Sequence, residues 1–272
     1  MHIALWDIPP IDFLLAGRQA GAISVPLEIE RHDAQTCTRL LLQEQVDIAL
    51  LPSMIVLSNT DVFEVLPGAA LSTWTYPYAR LVLRGGMERI DSVAYAAPNT
   101  QEALLAHIIL REHYGKDPAF VPRKGMTTEM LLNAEQDASL LVGPDALTLQ
   151  TEHLTLNLGQ EWYELANYPM VWGLFVTLKE AAAPVMVELI MAIIRAAEQQ
   201  APLWVQAREM PPALHTFYTE GLRLRFDDLA TASLTEFRQY LYYYNITDDL
   251  PELPLYELPD DWEDDAKETP LL

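Results

Sequence analysis

The stretch Asp47-Ile48-Ala49-Leu50-Leu51-Pro52-Ser53 constrains this chain more than any other. It reads as a short buried strand whose carboxyl end breaks at Pro52 and presents a hydroxyl at Ser53. Strand ends of this kind are where open α/β sheets bind small molecules. Three further apolar runs stop at comparable polar breaks. These are His2-Ile3-Ala4-Leu5-Trp6 before Asp7, Ser92-Val93-Ala94-Tyr95 before Pro98-Asn99-Thr100, and Leu140-Leu141-Val142 before Gly143-Pro144-Asp145. The repetition points to one cleft lined by strand ends.

Helical patterns alternate with these strands. Residues 36–45 are amphipathic, with Cys37, Leu40 and Leu41 on one face and Arg39, Gln43 and Glu44 on the other. Asn99 or Thr100 can cap a helix over 101–114 that buries Leu104, Leu105, Ile108 and Ile109 and ends at Gly115. Thr127 or Thr128 starts another, and Pro184 a fourth, with Met186, Leu189, Ile190 and Ile193 at helical spacing. Gly17 reads as a helix stop after Phe13-Leu14-Leu15. Strands alternating with helices of this length define an α/β architecture.

At 272 residues the chain can bury one large core or two modest ones. The single cysteine, Cys37, excludes an intramolecular disulfide, and no neighbouring His or base would make it a thiolate. No Cys/His cluster has zinc-ligand spacing, and His107 and His113 share a helix without an evident metal partner, so no metal is expected. The net charge of −22 opposes binding to nucleic acid or an anionic membrane. With neither an export signal nor a membrane-span-length apolar run, a cytoplasmic location is expected. Residues 245–272 carry ten acids against Lys267 alone, with four prolines, and read as an exposed or disordered tail that the fold can spare.

Residues 78–84 and 170–177 form two long strand-like segments. They read either as connectors into and out of an inserted lobe, giving a hinged clamp, or as core strands of one sheet.

Four segments carry a resemblance. Asp47 to Ser53, then Val65-Leu66-Pro67-Gly68-Ala69-Ala70-Leu71-Ser72, then Ile90-Asp91-Ser92-Val93-Ala94, and finally Gly159-Gln160-Glu161-Trp162-Tyr163-Glu164-Leu165 with Tyr168-Pro169-Met170-Val171 resemble, in order and spacing, the chorismate dehydratase family of the futalosine route to menaquinone. The match runs to about residue 256. The resemblance implies a two-lobe, periplasmic-binding-protein type II-like α/β fold with an interlobe cleft. Residues 1–82 and 172–256 would then make one discontinuous lobe, 83–171 the other, and 257–272 a disordered acidic tail. It also implies a hydro-lyase that removes water from chorismate to give 3-enolpyruvylbenzoate, without metal or organic cofactor.

Chorismate carries two carboxylates, so its site needs amides, hydroxyls or cations and a rigid cleft. Ser53, Ser72, Thr73, Asn99 and Thr100 are candidate donors, as are the amide-rich starts near Thr100 and Gly143. The family's asparagine after the first strand is replaced at about Pro10. Its two arginine-bearing segments become Ser72-Thr73-Trp74-Thr75-Tyr76-Pro77 and Pro98-Asn99-Thr100-Gln101-Glu102, leaving Arg80 as a possible substitute cation. Asp7 and Glu102 would repel a dianion. Asp7 reads as a turn acid or a general base, Asp145 as a helix cap at the cleft, and Trp6 and Trp172 as core or as an aromatic wall, together with Trp74 and Tyr76. Two functions follow: a chorismate dehydratase-like lyase acting on chorismate or a close small-molecule carboxylate, or a noncatalytic cytoplasmic protein that closes on a small, less anionic and more aromatic ligand.

Overall fold

A computed structural model describes residues 1–19, 21, 27–97, 100–250 and 252–259. Its strands are β1 (His2–Trp6), β2 (Glu28–His32), β3 (Ile48–Pro52), β4 (Phe63–Thr73), β5 (Ala79–Leu83), β6 (Ser92–Ala96), β7 (Ala119–Arg123), β8 (Ala138–Val142), β9 (Leu154–Asn157), β10 (Met170–Leu178) and β11 (Leu222–Arg225). They form a six-stranded sheet in the order β11-β4-β10-β3-β1-β2 and a five-stranded sheet in the order β7-β6-β8-β5-β9. Both are mixed: β1 pairs in parallel with β2 and β3, and β6 with β7 and β8, while β10 and β5 run antiparallel to their neighbours.

The apolar runs explain the core. Every residue of β3 is buried, and so are eight of the nine in β10, because both strands lie inside the first sheet with helices over its faces. The longest helix, Pro184–Gln206, packs its buried Leu189, Ile190, Ile193 and Ile194 toward the first sheet. Several starts follow the capping rules: Asp33 accepts from the Thr36 amide, Thr127 from Met130 and Asp227 from Ala230. The helix expected over 101–114 is an α-helix, Thr100–Ile108, that widens into a π-helical turn, Ile109–His113. Gly17 does not stop a helix; it lies within Ala16–Gln19, where an added Cβ would meet the Ala196 Cβ at 2.4 Å.

The connectors lie elsewhere than expected. Residues 79–83 are a strand of the second sheet and 170–178 a strand of the first, because both runs are apolar and buried on two faces rather than bridging solvent. The chain changes sheets at residues 74–78 and again through the helix Leu158–Ala166. The two crossings touch. Asn157 caps the helix by accepting from Gln160, and the same oxygen accepts from the Tyr76 amide at 2.9 Å. Beside it, a Cβ on Gly159 would lie 2.7 Å from the Tyr76 nitrogen, so glycine permits this close approach.

The tail is ordered further than its composition suggests. The Val65 amide donates to the Pro254 carbonyl at 2.6 Å, the Tyr256 amide donates to the Val65 carbonyl at 2.9 Å, and Leu253, Leu255, Tyr256 and Leu258 pack on the core. This segment covers the part of the β4 edge that β11 leaves open. The acidic residues 260–272 lie outside the described residues.

Candidate functional site

The ends of β1, β3, β4 and β10 meet the second half of the molecule at one boundary, and two regions of it differ in chemistry.

At the base, the predicted hydroxyls are engaged internally. Ser53, fully buried, donates to the Val171 carbonyl at 2.7 Å. Thr73 accepts the Trp172 indole N–H at 2.8 Å, and the Trp172 ring stacks on Tyr76 with centroids 4.3 Å apart. The Ser72 hydroxyl is buried with no hydrogen-bond partner among the described residues. Across the boundary comes Gln101, which the sequence reading passed over in favour of Thr100. Its carboxamide oxygen accepts from the Met54 amide at 2.9 Å and lies 3.1 Å from the Ser53 hydroxyl, while its nitrogen donates to the Trp172 carbonyl at 2.9 Å. Thr100 is exposed, and Asn99 lies outside the described residues. A signal for Gln101 existed: Gln101, Leu105 and Ile108 share one helical face at i, i+4 and i+7, which makes Gln101 a buried polar residue.

Glu102 lies beside Gln101 and is 3% exposed. Burial pushes its carboxyl up to about 7, and the charge it would carry helps to keep the buried Tyr76 phenol protonated. It is therefore a neutral or half-ionised acid near physiological pH rather than the repelling anion expected.

At the mouth lies a cavity of about 540 Å³. Asp7, Arg31, Trp204 and Tyr218 line it from the first-sheet half, and Tyr78, Pro144 and Leu147 line it from the other side. Arg31 is clamped: its Nε and Nη2 donate to Asp7 at 2.9 and 2.5 Å, and its Nη1 to Asp12 at 2.5 Å. The Tyr78 and Tyr218 hydroxyls pair at 2.9 Å. Burial pushes both phenols up, and for Tyr218 the bond to Tyr78 adds to it, so both stay neutral hydroxyls, one donating to the other. Trp204 packs edge-on to Phe13 at 5.3 Å, which fixes its ring at the cavity wall.

Of the other predicted residues, only Asp7 lines this cavity. Trp6 is half-buried against the core, and Pro10 is the buried residue before the helix Ile11–Leu14. The Gly143 amide is used by the Tyr78 carbonyl at 2.8 Å, which removes it as a ligand donor. Asp145 is no cap: it sits in the first turn of Pro144–Thr148 and accepts from Thr128 at 2.5 Å. Arg80 lies in β5 and does not line the cavity. Cys37 is a buried, protonated thiol within the helix Ala34–Leu42, since burial pushes it up to about 12. His113 is less isolated than expected, with ligand atoms of Glu161 and Glu164 within 4.8 Å, although Glu161 is taken by the Tyr114 hydroxyl at 2.5 Å. Among the described residues no helix is long and apolar enough to cross a membrane.

Two α/β halves with a ligand-sized cavity between strand ends define a periplasmic-binding-protein-type fold, and solved structures agree. The periplasmic aliphatic sulphonate-binding protein of Escherichia coli aligns with a TM-score of 0.67 at 11% identity, covering 100% of this chain and 96% of its own. The alkanesulfonate-binding protein of Xanthomonas axonopodis pv. citri, bound to MOPS, aligns at 0.66 and 12% identity, covering 94% and 97%. A protein of Archaeoglobus fulgidus aligns at 0.60 and 15%, covering 90% and 97%. Residues 1–243 match the menaquinone biosynthesis family, and the chain belongs to that family. No curated protein sequence matches it.

Proposed function

We propose that this protein is a cytoplasmic, chorismate dehydratase-like lyase of menaquinone biosynthesis that holds its substrate in the interlobe cavity. The observation that carries the reading is the family match over 1–243 on a fold whose strand ends enclose about 540 Å³, a volume suited to a small ring acid. Loss of water from such a ring breaks one C–H and one C–O bond and makes an aromatic product. The protein's share of that chemistry is to orient the ring and exclude water. Trp204, Tyr218 and Leu147 supply flat apolar walls, and the Tyr78–Tyr218 pair supplies neutral hydroxyls. Incubation with chorismate, followed by chromatography, tests the reading directly. Formation of 3-enolpyruvylbenzoate is expected; intact chorismate after prolonged incubation sinks the lyase.

A noncatalytic binding protein is the second reading, and Gln101 favours it. Its carboxamide fills the strand-end donors that a ligand carboxylate would use, and Asp7 and Asp12 neutralise Arg31. Under that reading chorismate, or a smaller ring acid, raises the melting temperature without being consumed.

A further inference from the structure

Away from the interlobe cavity, the π-helical turn Ile109–His113 packs against the helix Leu158–Ala166, through which the chain returns to the first sheet. Turns of this kind are rare and concentrate at functional sites. Glu161 and Glu164 stand at i and i+3 on the helix and so share a face. His113, the last residue of the turn, meets them there: a ring nitrogen and one oxygen from each carboxylate all lie within 4.8 Å of one another. None of the three lines the cavity between the halves.

Glu161 is the unusual member. It is 6% exposed, yet among the described residues no lysine or arginine nitrogen lies within 4.0 Å of it or of Glu164. Arg111, on the same turn as His113, faces Glu112 and Asp117 instead, at 4.0 and 3.9 Å. Buried carboxylates are nearly always paired with a cation or bound to a metal. One Glu161 oxygen accepts from the Tyr114 hydroxyl at 2.5 Å; the other has no partner among the described residues and is not sealed from solvent. Tyr114 thus orients the carboxylate, as hydrogen-bonded neighbours of metal ligands do, and leaves most of its roughly four lone-pair sites open. Glu164 accepts from the Gln160 carboxamide nitrogen at 3.0 Å, and His113 makes no hydrogen bond among the described residues.

An imidazole beside two carboxylates suits a borderline divalent ion better than magnesium or calcium, which favour oxygen alone. We propose that His113, Glu161 and Glu164 form a divalent transition-metal site, suited to zinc, that ties the π-helical turn to the returning helix. Ligand atoms bound at about 2.1 Å to one ion stand roughly 3.5 Å apart. His113 and Glu164 are exposed, so their side chains can close the remaining distance without disturbing the core. Three protein ligands leave a further position to water.

The test titrates tag-free, chelator-stripped and dialysed protein with zinc chloride, in calorimetry and melting curves, with magnesium chloride at equal ionic strength as the control for charge screening. Wild type should bind zinc one to one and melt roughly 5 °C higher at about a hundredfold excess over Kd. His113→Ala and Glu164→Gln alter exposed side chains, should melt with the metal-free wild type, and should each lose at least about tenfold in zinc affinity. Tyr114→Phe keeps the ring but removes the bond to Glu161, and should lose roughly tenfold. His153→Ala removes an exposed histidine elsewhere and should bind zinc like the wild type. No saturable zinc binding by the wild type, an equal rise with magnesium, or unchanged affinity in both His113→Ala and Glu164→Gln overturns the site. None of these readouts depends on chorismate turnover, so the site stands or falls apart from the lyase.

Discussion

The base and the mouth of the interlobe boundary are built from the same kinds of residue and behave oppositely. At the base, Ser53, Thr73, Trp172 and Gln101 bond to one another, joining residues up to 118 positions apart in sequence. At the mouth, the pairs Asp7–Arg31 and Tyr78–Tyr218 border an open cavity, and Arg208 spends one donor on the Trp204 carbonyl with no carboxylate within 4.0 Å among the described residues. A polar side chain at a strand end is thus a poor guide to ligand contact until its partners are known. Groups satisfied across the boundary hold the halves together, and an unsatisfied one, such as the buried Ser72 hydroxyl at the base, is not by that fact a ligand contact.

The sharpest way to break the base is Gly159→Ala. The new Cβ meets backbone of the other crossing, at the Tyr76 nitrogen and the Thr75 carbonyl carbon, where no side chain can rotate away. A loss of about 3 kcal/mol is expected in denaturant unfolding. An unchanged midpoint would mean that the two crossings do not pack together in solution.

Glu102 gives the next effect, and it depends on pH. Its carboxyl is raised from an ordinary 4.5 to about 7 when folded, so the folded chain binds its proton more tightly than the unfolded one. That contribution is complete below about pH 4.5 and is lost as pH rises through about 7. Relative to Glu102→Gln, the wild type should lose on the order of 3 kcal/mol between pH 4 and pH 8. Parallel stability curves for the two proteins would show that Glu102 is solvated.

Gln101→Ala comes third. It strands the Met54 amide and the Trp172 carbonyl, and about 2 kcal/mol of stability should go with them. If ligand affinity rises in this variant, the carboxamide competes with ligand; unaltered affinity confines Gln101 to structure.

The smallest effect belongs to the mouth. Asp7→Asn weakens a pair whose members are 37% and 52% exposed, so stability should move by less than about 1 kcal/mol. Binding of a small ring acid should instead strengthen and become more salt-sensitive as Arg31 is partly released. Weaker binding would place Asp7 in contact with the ligand.

Much of this fold was legible in the chain. The four apolar runs lie in the strands at 2–6, 48–52, 92–96 and 138–142, and the cap at Thr127 and the start at Pro184 stand where residue type placed them. The candidate site was legible only at Asp7. By sequence Ser53, Ser72, Thr73 and Trp172 read as cavity walls because each follows or begins an apolar run, yet all four are buried. Connector positions were misplaced because Ala79–Leu83 and Met170–Leu178 are apolar enough to be central strands, and a central strand looks the same whichever sheet it joins.

What the sequence by itself determined was local: strand and helix periods, chain breaks, and the burial that hydrophobic runs demand within a few residues. Tertiary structure decided which polar groups meet. Gln101 rather than Thr100 reaches Ser53, and Trp204 and Arg208 stand across the cavity from Tyr78 and Pro144. The physical reason is that apolar burial is roughly additive along the chain and visible in its pattern, whereas a hydrogen bond or an unmet charge exists only in the geometry between distant segments.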